Sequence, residues 1–535
     1  MHSFEILIGL LLIALILAVA VKRLNFPYPI ALVMAGFAIA SIPGVPHIRI
    51  DPEVIFYILL PPILAEAAYL TSWRDFWRWR RAIFLLAFGL VTTTTVVVAG
   101  FCVAMIPGVN WPTGFLLGAI VSPPDAAAAT SIMRSFHLPR RVVQILEGES
   151  LVNDAAALTV YRFAIAAIVS GTFSFPRAAL SFVWTAGAGV AVGLACAYVL
   201  VKLYPHFKDP QVEILSTFLL GYIAYVAAEA VHSSGVLAVV ASGLIFGWHA
   251  PQLFSAATRL RAAAVWETTI FLLNATVFLA IGLQIPDATA ALHSYRREDL
   301  WFWGSSLALT VIVTRVIWVF PGTYLPRLLF KGIREREPLP SWRAVSVVAW
   351  SGLRGVVSLA AAEALPRTID DGTPFPNRDL ILFLTFVVIM TTLVLQGLTM
   401  GPLIKRLRIE PDHSLREEHL LASIHAAERA LHRIGELERS LGADSVVIHR
   451  VRGYYTDRLL LLRAQLQLPP VANTAGGPEE FQNIAEQKIW WEVAKAERDA
   501  VLSLRRQRRI GDEAMRKIER DIDLLEARIV PRDHQ

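Results

Sequence analysis

Apolar runs dominate this chain. Thirteen stretches lie between charge or Pro/Gly breaks: 3–21, 29–43, 52–70, 82–106, 112–132, 141–169, 178–202, 211–231, 235–250, 265–285, 300–325, 343–365 and 379–404. A helix needs roughly 20 predominantly apolar residues to cross a bilayer, and the second and ninth runs are short for that task. Of 535 residues, 55% are hydrophobic and 18% charged, against about 25% charged in an average soluble domain. A disordered, collagen-like or disulfide-stapled chain is excluded, and an ordinary soluble enzyme is disfavoured. The charges are also segregated. Residues 405–535 hold 23 of the 50 Lys/Arg and 22 of the 44 Asp/Glu. The chain therefore reads as a membrane domain over 1–405 and a charged domain over 406–535. The net charge of +6 splits as +5 and +1, which is not a nucleic-acid footprint.

Orientation follows from the basic residues. Met1 to Glu5 carry no Lys or Arg, and Lys22 and Arg23 follow the first run. That is the reverse of a signal peptide's charge order, so the run reads as a first span with its N-terminus outside. With thirteen spans, the odd loops hold 18 Lys/Arg and the even loops 6. The positive-inside rule then puts the odd loops and the tail from Lys405 in the cytoplasm. In the tail, segments 412–440, 443–467, 479–509 and 511–529 show apolar residues at helical spacing. A linker runs from Pro469 to Pro478. The cluster Arg505, Arg506, Arg508, Arg509 has acidic neighbours and reads as a solvated or lipid-facing helix. Cys102 and Cys196 sit in apolar stretches with no Cys or His at ligand spacing, and read as buried small hydrophobes. Trp73, Trp77 and Trp79 beside arginines read as an interfacial belt.

Ionisable residues inside the spans carry the functional signal. Arg162, Arg315 and Arg354 fall there, with Glu66, Asp125, Glu147, Glu149, Asp154, Glu229, Glu267 and Glu363. Each costs about 2.5–3.5 kcal/mol near the bilayer centre on insertion scales, so they must pair or line a wet path for ions or protons. Arg162 reads as snorkelling at a helix end, Glu267 and Glu363 as interfacial, and Glu229 as internal. Two runs are also broken. Ser122-Pro123-Pro124 precedes Asp125 in the fifth run, and Ser351-Gly352-Leu353-Arg354-Gly355 interrupts the twelfth. With spans 1–6 and 8–13 as inverted repeats, the breaks occupy equivalent positions, the pattern of a secondary-transporter binding site. Helical spacing sets Ser150, Asn153 and Asp154 on one face. Their hydroxyl, amide and carboxylate oxygens are hard ligands for an alkali cation, and Asp154 also takes up a proton. Gly148-Glu149-Ser150 is not a nucleophile elbow, because Val152 stands at the fifth position and no strand precedes it.

The Glu147-Gly148-Glu149-Ser150-Leu151-Val152-Asn153-Asp154 stretch is a near-complete match to a specific signature. Leu60 to Glu66, Tyr225 to Glu229 with Ser234-Gly235 and Ala241-Ser242-Gly243, and Gly352 to Ser358 fit the same pattern. Over about residues 1–405 the sequence resembles the bacterial sodium/proton exchangers of the first monovalent cation:proton antiporter family. The tail is similar to that of bacterial members but is less specific.

The resemblance implies an all-α integral membrane protein with about 13 spans, inverted repeats, two crossed and interrupted helices and a helical cytoplasmic tail. It implies that Asp154 binds the ion and the proton and that Asn153 supports it without adding charge. Asp125 on the broken helix and Ser150 would be further Na+ ligands, Glu66 would shape the path, and Glu149 would pair with Arg315 or Arg354. It also implies electroneutral exchange, a homodimer in the inner membrane, and no cofactor beyond the transported Na+ (or Li+) and H+. One departure stands out: the threonine and proline that usually flank the aspartate are Pro124 and Ala126 here. A hydroxyl ligand is lost at 124, which keeps potassium/proton exchange open as an alternative. A sensor signalling through its tail is a third reading. The tail carries no catalytic or nucleotide-binding motif, which counts against it. A passive channel fits poorly, because a buried carboxylate–arginine network suits a stepwise carrier.

Overall fold

The computed structural model describes residues 28–42, 55–125, 129–130, 133, 138–171, 175–207, 209–290, 292, 295–337, 339–369, 372–409, 414–441, 446–466 and 484–529. The expected first span, the charges Lys22, Arg23, Arg49 and Arg134, Ala126 and the tail linker lie outside these. The described residues are all-helical, with one isolated bridge between Thr368 and Pro374 as the only strand-like pairing among them.

The helices follow the apolar runs. In chain order they are α1 (Tyr28–Ala40), α2 (Leu60–Leu70), α3 (Trp73–Met105), α4 (Trp111–Val121), α5 (Arg140–Ser170), α6 (Phe175–Leu203), α7 (Pro210–Ala230), α8 (Gly235–Leu253) and α9 (Ala256–Ala290). Then come α10 (Arg297–Leu329), α11 (Trp342–Trp350), α12 (Val356–Glu363) and α13 (Arg378–Leu407). Eight of these are long and apolar enough to cross a membrane: α3, α5, α6, α7, α8, α9, α10 and α13. α1, α2 and α4 are shorter, and the twelfth run is split into α11 and α12. Two helices start earlier than the hydropathy pattern suggests, α3 at Trp73 and α9 at Ala256. Their first turns are charged, and Ser72 caps α3 by accepting from Asp75 N at 3.2 Å.

Helix contacts use small residues, as expected where lipid supplies no hydrophobic drive for association. Gly118 of α4 lies against Thr95 of α3, and Gly36 of α1 against Gly282 of α9, so close that an added Cβ would meet backbone. α3 contains a π turn at Leu85–Leu90 and α13 one at Thr392–Gln396. Cys102 is buried, Cys196 half-buried, and neither is bridged.

The chain divides into two compact units. One comprises residues 1–203, 216–249 and 266–411, and the other residues 204–215, 250–265 and 412–535. In the second unit the tail forms α14 (Ser414–Leu441), α15 (Val446–Gln465), α16 (Ile484–Arg506) and α17 (Asp512–Ile529). They close around Ile434, Val451, Tyr455, Trp490 and Ile522. Within the basic cluster of α16, Arg505 is buried and its Nε donates to Asp512 at 2.7 Å.

Candidate functional site

The two breaks meet. Asn110 caps α4 by accepting from Thr113 N at 3.0 Å, and α4 stops at Val121 because Pro123 and Pro124 cannot donate to the helix ladder. α11 ends at Trp350, Ser351 to Gly355 run non-helically, and α12 restarts at Val356. Asp125 N donates to Leu353 O at 2.7 Å, so one unwound segment is hydrogen-bonded to the other. The last carbonyls of α4 carry the negative end of its dipole. Arg354 answers this charge: Nε donates to Val121 O at 2.6 Å and Nη1 to Gly352 O at 2.7 Å, with the side chain 1% exposed. Its backbone N–H donates to Thr392 Oγ1 at 3.2 Å. Gly355, at the start of α12, has no room for a Cβ, which would collide with the Asp125 carboxylate. That carboxylate therefore lies at the positive end of α12.

α5 passes this crossing with its signature face inward. Asn153 is fully buried, and its Nδ2 donates to Pro124 O at 2.9 Å. Its Oδ1 is buried with no hydrogen-bond partner among the described residues. Asp154 is buried beside it, no described residue donates to its carboxylate, and Asp125 is the charged group that acts on it. Ser150 lies half-buried on the same face. The buried Asp154, the half-buried Asp125 and the amide oxygen of Asn153, without a partner among the described residues, form a hard-oxygen set that a small cation or a proton would complete.

Glu149 points away from that face and pairs with Arg315, not Arg354. The bond is bidentate, at 2.5 and 2.9 Å, with both side chains 1% exposed. Arg315 also donates to Val348 O at 3.1 and 3.2 Å, tying α5 and α10 to the end of α11. Arg162 is not a lone snorkelling cation: its Nη2 meets Glu229 Oε1 at 2.7 Å, joining α5 to α7. Glu66 is half-buried on α2. Glu363 lies 4.0 Å from Arg378, and Glu267 is exposed. Trp79 is 9% exposed and donates to Gln144 at 3.0 Å, so it belongs to the helix packing and not to an outer belt.

Several participants had no sequence signal. The carbonyls of Val121, Pro124 and Val348 act through backbone, which any residue supplies. Thr392 and Gln396 frame the π turn of α13. Gln396 has both amide atoms buried without partners among the described residues, beside Gly352.

Two unwound helix segments crossing beside a buried carboxylate with no donor among the described residues define the secondary-transporter class. Residues 8–406 match the sodium/hydrogen exchanger transmembrane family. An uncharacterized Na+/H+ exchanger of Mycobacterium tuberculosis is 31% identical over 97% of this chain and 96% of its own. The sodium, potassium, lithium and rubidium/H+ antiporter of Bacillus pumilus is 34% identical over 69% of this chain and 56% of its own. The sodium proton antiporter MjNhaP1 of Methanocaldococcus jannaschii has the same fold, with a TM-score of 0.59 and 21% identity, over 77% of this chain and 99% of that one. The chain belongs to the sodium/hydrogen exchanger family, and it is a multi-pass membrane antiporter that exchanges cations for protons.

Proposed function

We propose that the chain exchanges Na+ or Li+ for H+ by alternating access, one proton for one cation and without net charge movement. It would work as a homodimer of thirteen-span protomers in the inner membrane, with the N-terminus outside and the tail from residue 406 in the cytoplasm. The observation that carries this reading is the Asp154 carboxylate: buried, and next to the Asn153 Oδ1, with neither group accepting a hydrogen bond among the described residues. Such a group holds a proton or a cation but not both, since each neutralises the same charge. Asp125 and Ser150 add oxygens for the cation, and Asn153 anchors α5 to the fifth-span break through Pro124 O. Having Asn153 beside Asp154 leaves a single titrating group at the signature pair, which favours electroneutral exchange. Glu66 shapes the path. The Glu149–Arg315 pair and Arg354 hold the crossed helices, and Glu229 holds Arg162.

A broader cation range is the second reading. Position 124 lacks a hydroxyl, and two Bacillus relatives, at 34% and 33% identity, are named for potassium and rubidium as well as sodium and lithium. Proteoliposomes loaded with a pH dye decide between them, with Na+, Li+ or K+ supplied outside and with a voltage imposed or not. The sodium reading expects dequenching with Na+ and Li+, little with K+, and no dependence on voltage. Asp154→Asn should fold and reach the membrane yet show no cation-driven proton flux. Undiminished flux in that variant would sink the mechanism.

A further inference from the structure

The antiport site leaves unused a cluster of arginines where three long helices gather. Arg81 of α3, Arg141 of α5 and Arg327 of α10 surround one carboxylate, Glu337, which lies between α10 and α11. Arg81 donates to Glu337 from Nε at 3.1 Å and from Nη2 at 2.5 Å, and Arg327 Nη2 donates to it at 2.6 Å. Arg141 stacks its guanidinium 4.4 Å from the centroid of the Trp79 ring. Burial pushes Glu337 up, but the hydrogen bond and charge of Arg81 and the charges of Arg327 and Arg141 outweigh it. Together they hold the carboxyl below its usual range. Arg81 and Arg327 therefore share one ionised carboxylate, and Arg141 adds its charge nearby. Arg327 is 2% exposed, and its Nε has no acceptor among the described residues. Arg81 and Arg141 are half-buried, and excess positive charge this far withdrawn from water favours a balancing anion.

The surroundings indicate which anion. The three arginines line a cavity of about 50 Å³. Leu85 and Gly322 border this cavity and also an open apolar groove of about 760 Å³ between α3 and α10, walled by Val97, Leu309, Val313 and Ile317. The groove has a fixed floor, because Trp318 Nε1 donates to the Leu85 carbonyl at 3.3 Å, at the start of the π turn. A free phosphate would meet the arginines but leave the groove idle. A zwitterionic lipid would fill the groove but bring no net charge to balance the cluster.

We propose that this seam binds one anionic phospholipid, its phosphate set against Arg81, Arg141 and Arg327 and one acyl chain laid along the α3–α10 groove. Basic pockets between membrane helices recognise lipid headgroups in this way, and guanidinium–phosphate bonds are charge-assisted. The test uses the full-length protein in detergent, with native mass spectrometry and thermal unfolding as readouts. The lipids are dioleoyl phosphatidylglycerol, dioleoyl phosphatidylcholine and, as the free anion, inorganic phosphate. Phosphatidylglycerol should be retained at one per chain and raise the Tm, and the other two should do neither. Arg141→Gln should weaken retention roughly tenfold, the loss expected for one charge-assisted bond, and it leaves the Arg81–Glu337–Arg327 pairs in place. Val313→Trp should weaken retention by filling the groove, whereas Glu337→Gln should strengthen it by removing the competing carboxylate. Equal protection by phosphatidylcholine would mean generic lipid packing, and equal protection by phosphate would mean a free-anion site. Either result overturns the proposal, as would retention indifferent to all three variants.

Discussion

Two carboxylates five residues apart on α5 do opposite work. Glu149 is paired on both oxygens with Arg315, while Asp154 has no donor among the described residues. The first is a structural charge, and the second is the group to which the proposed mechanism assigns the cargo. Removing one partner of a buried pair leaves the other charge uncompensated, at about 3–5 kcal/mol. Glu149→Gln should therefore reduce folded protein, seen as a lowered Tm and poor recovery from membranes. Asp154→Asn should leave both unchanged and silence transport. The reverse pattern, a stable Glu149→Gln and an unstable Asp154→Asn, would invalidate this division of labour.

At the scale of elements, the breaks in the fifth and twelfth runs place charge where continuous helices would bury it. α4 presents its negative end to Arg354, and α12 presents its positive end to Asp125. Backbone polarity thus sets the electrostatics of the crossing that the proposed mechanism uses. A different kind of contact links α5 to α7. The Arg162–Glu229 pair has side chains 49% and 24% exposed, and exposed ion pairs are worth about 0.2–1 kcal/mol. Arg162→Ala should accordingly change the cation concentration for half-maximal exchange by less than roughly fivefold, with little loss of stability. Complete loss of flux would show that this pair serves the transport cycle itself and does not merely brace two helices.

At the scale of the whole molecule, the tail unit carries a pH-responsive residue of its own. Glu519 on α17 is 3% exposed, and burial pushes its carboxyl up to about 7, against the pull of Arg259. Its folded form binds a proton between about 4.5 and 7 where an unfolded chain has released it. Stability of this unit should therefore fall as pH rises through that window, by on the order of 3 kcal/mol. Around it, Asp523 takes both Arg259, at 2.6 and 2.8 Å, and Arg498, at 2.8 Å. Hydrogen exchange of segment 512–529 in the intact protein should quicken between pH 5 and 7.5 beyond the intrinsic rate, and Glu519→Gln should flatten that response. An equal response in both proteins would assign it to another group.

The one-dimensional chain already determined much of this. Apolar length specified the helices, because a backbone in lipid must bond within its own segment. Proline, glycine and charge inside those lengths marked the two breaks, and the signature spacing put Asn153 and Asp154 on one face. Tertiary structure alone decided that Glu149 takes Arg315, that Arg354 serves carbonyls, that Arg162 finds Glu229, and that Arg81, Arg141 and Arg327 converge on Glu337. These choices depend on which helix ends and backbone carbonyls come within about 3 Å of each other. That proximity is a property of packing between segments that lie up to 256 residues apart, and local periodicity carries no record of it.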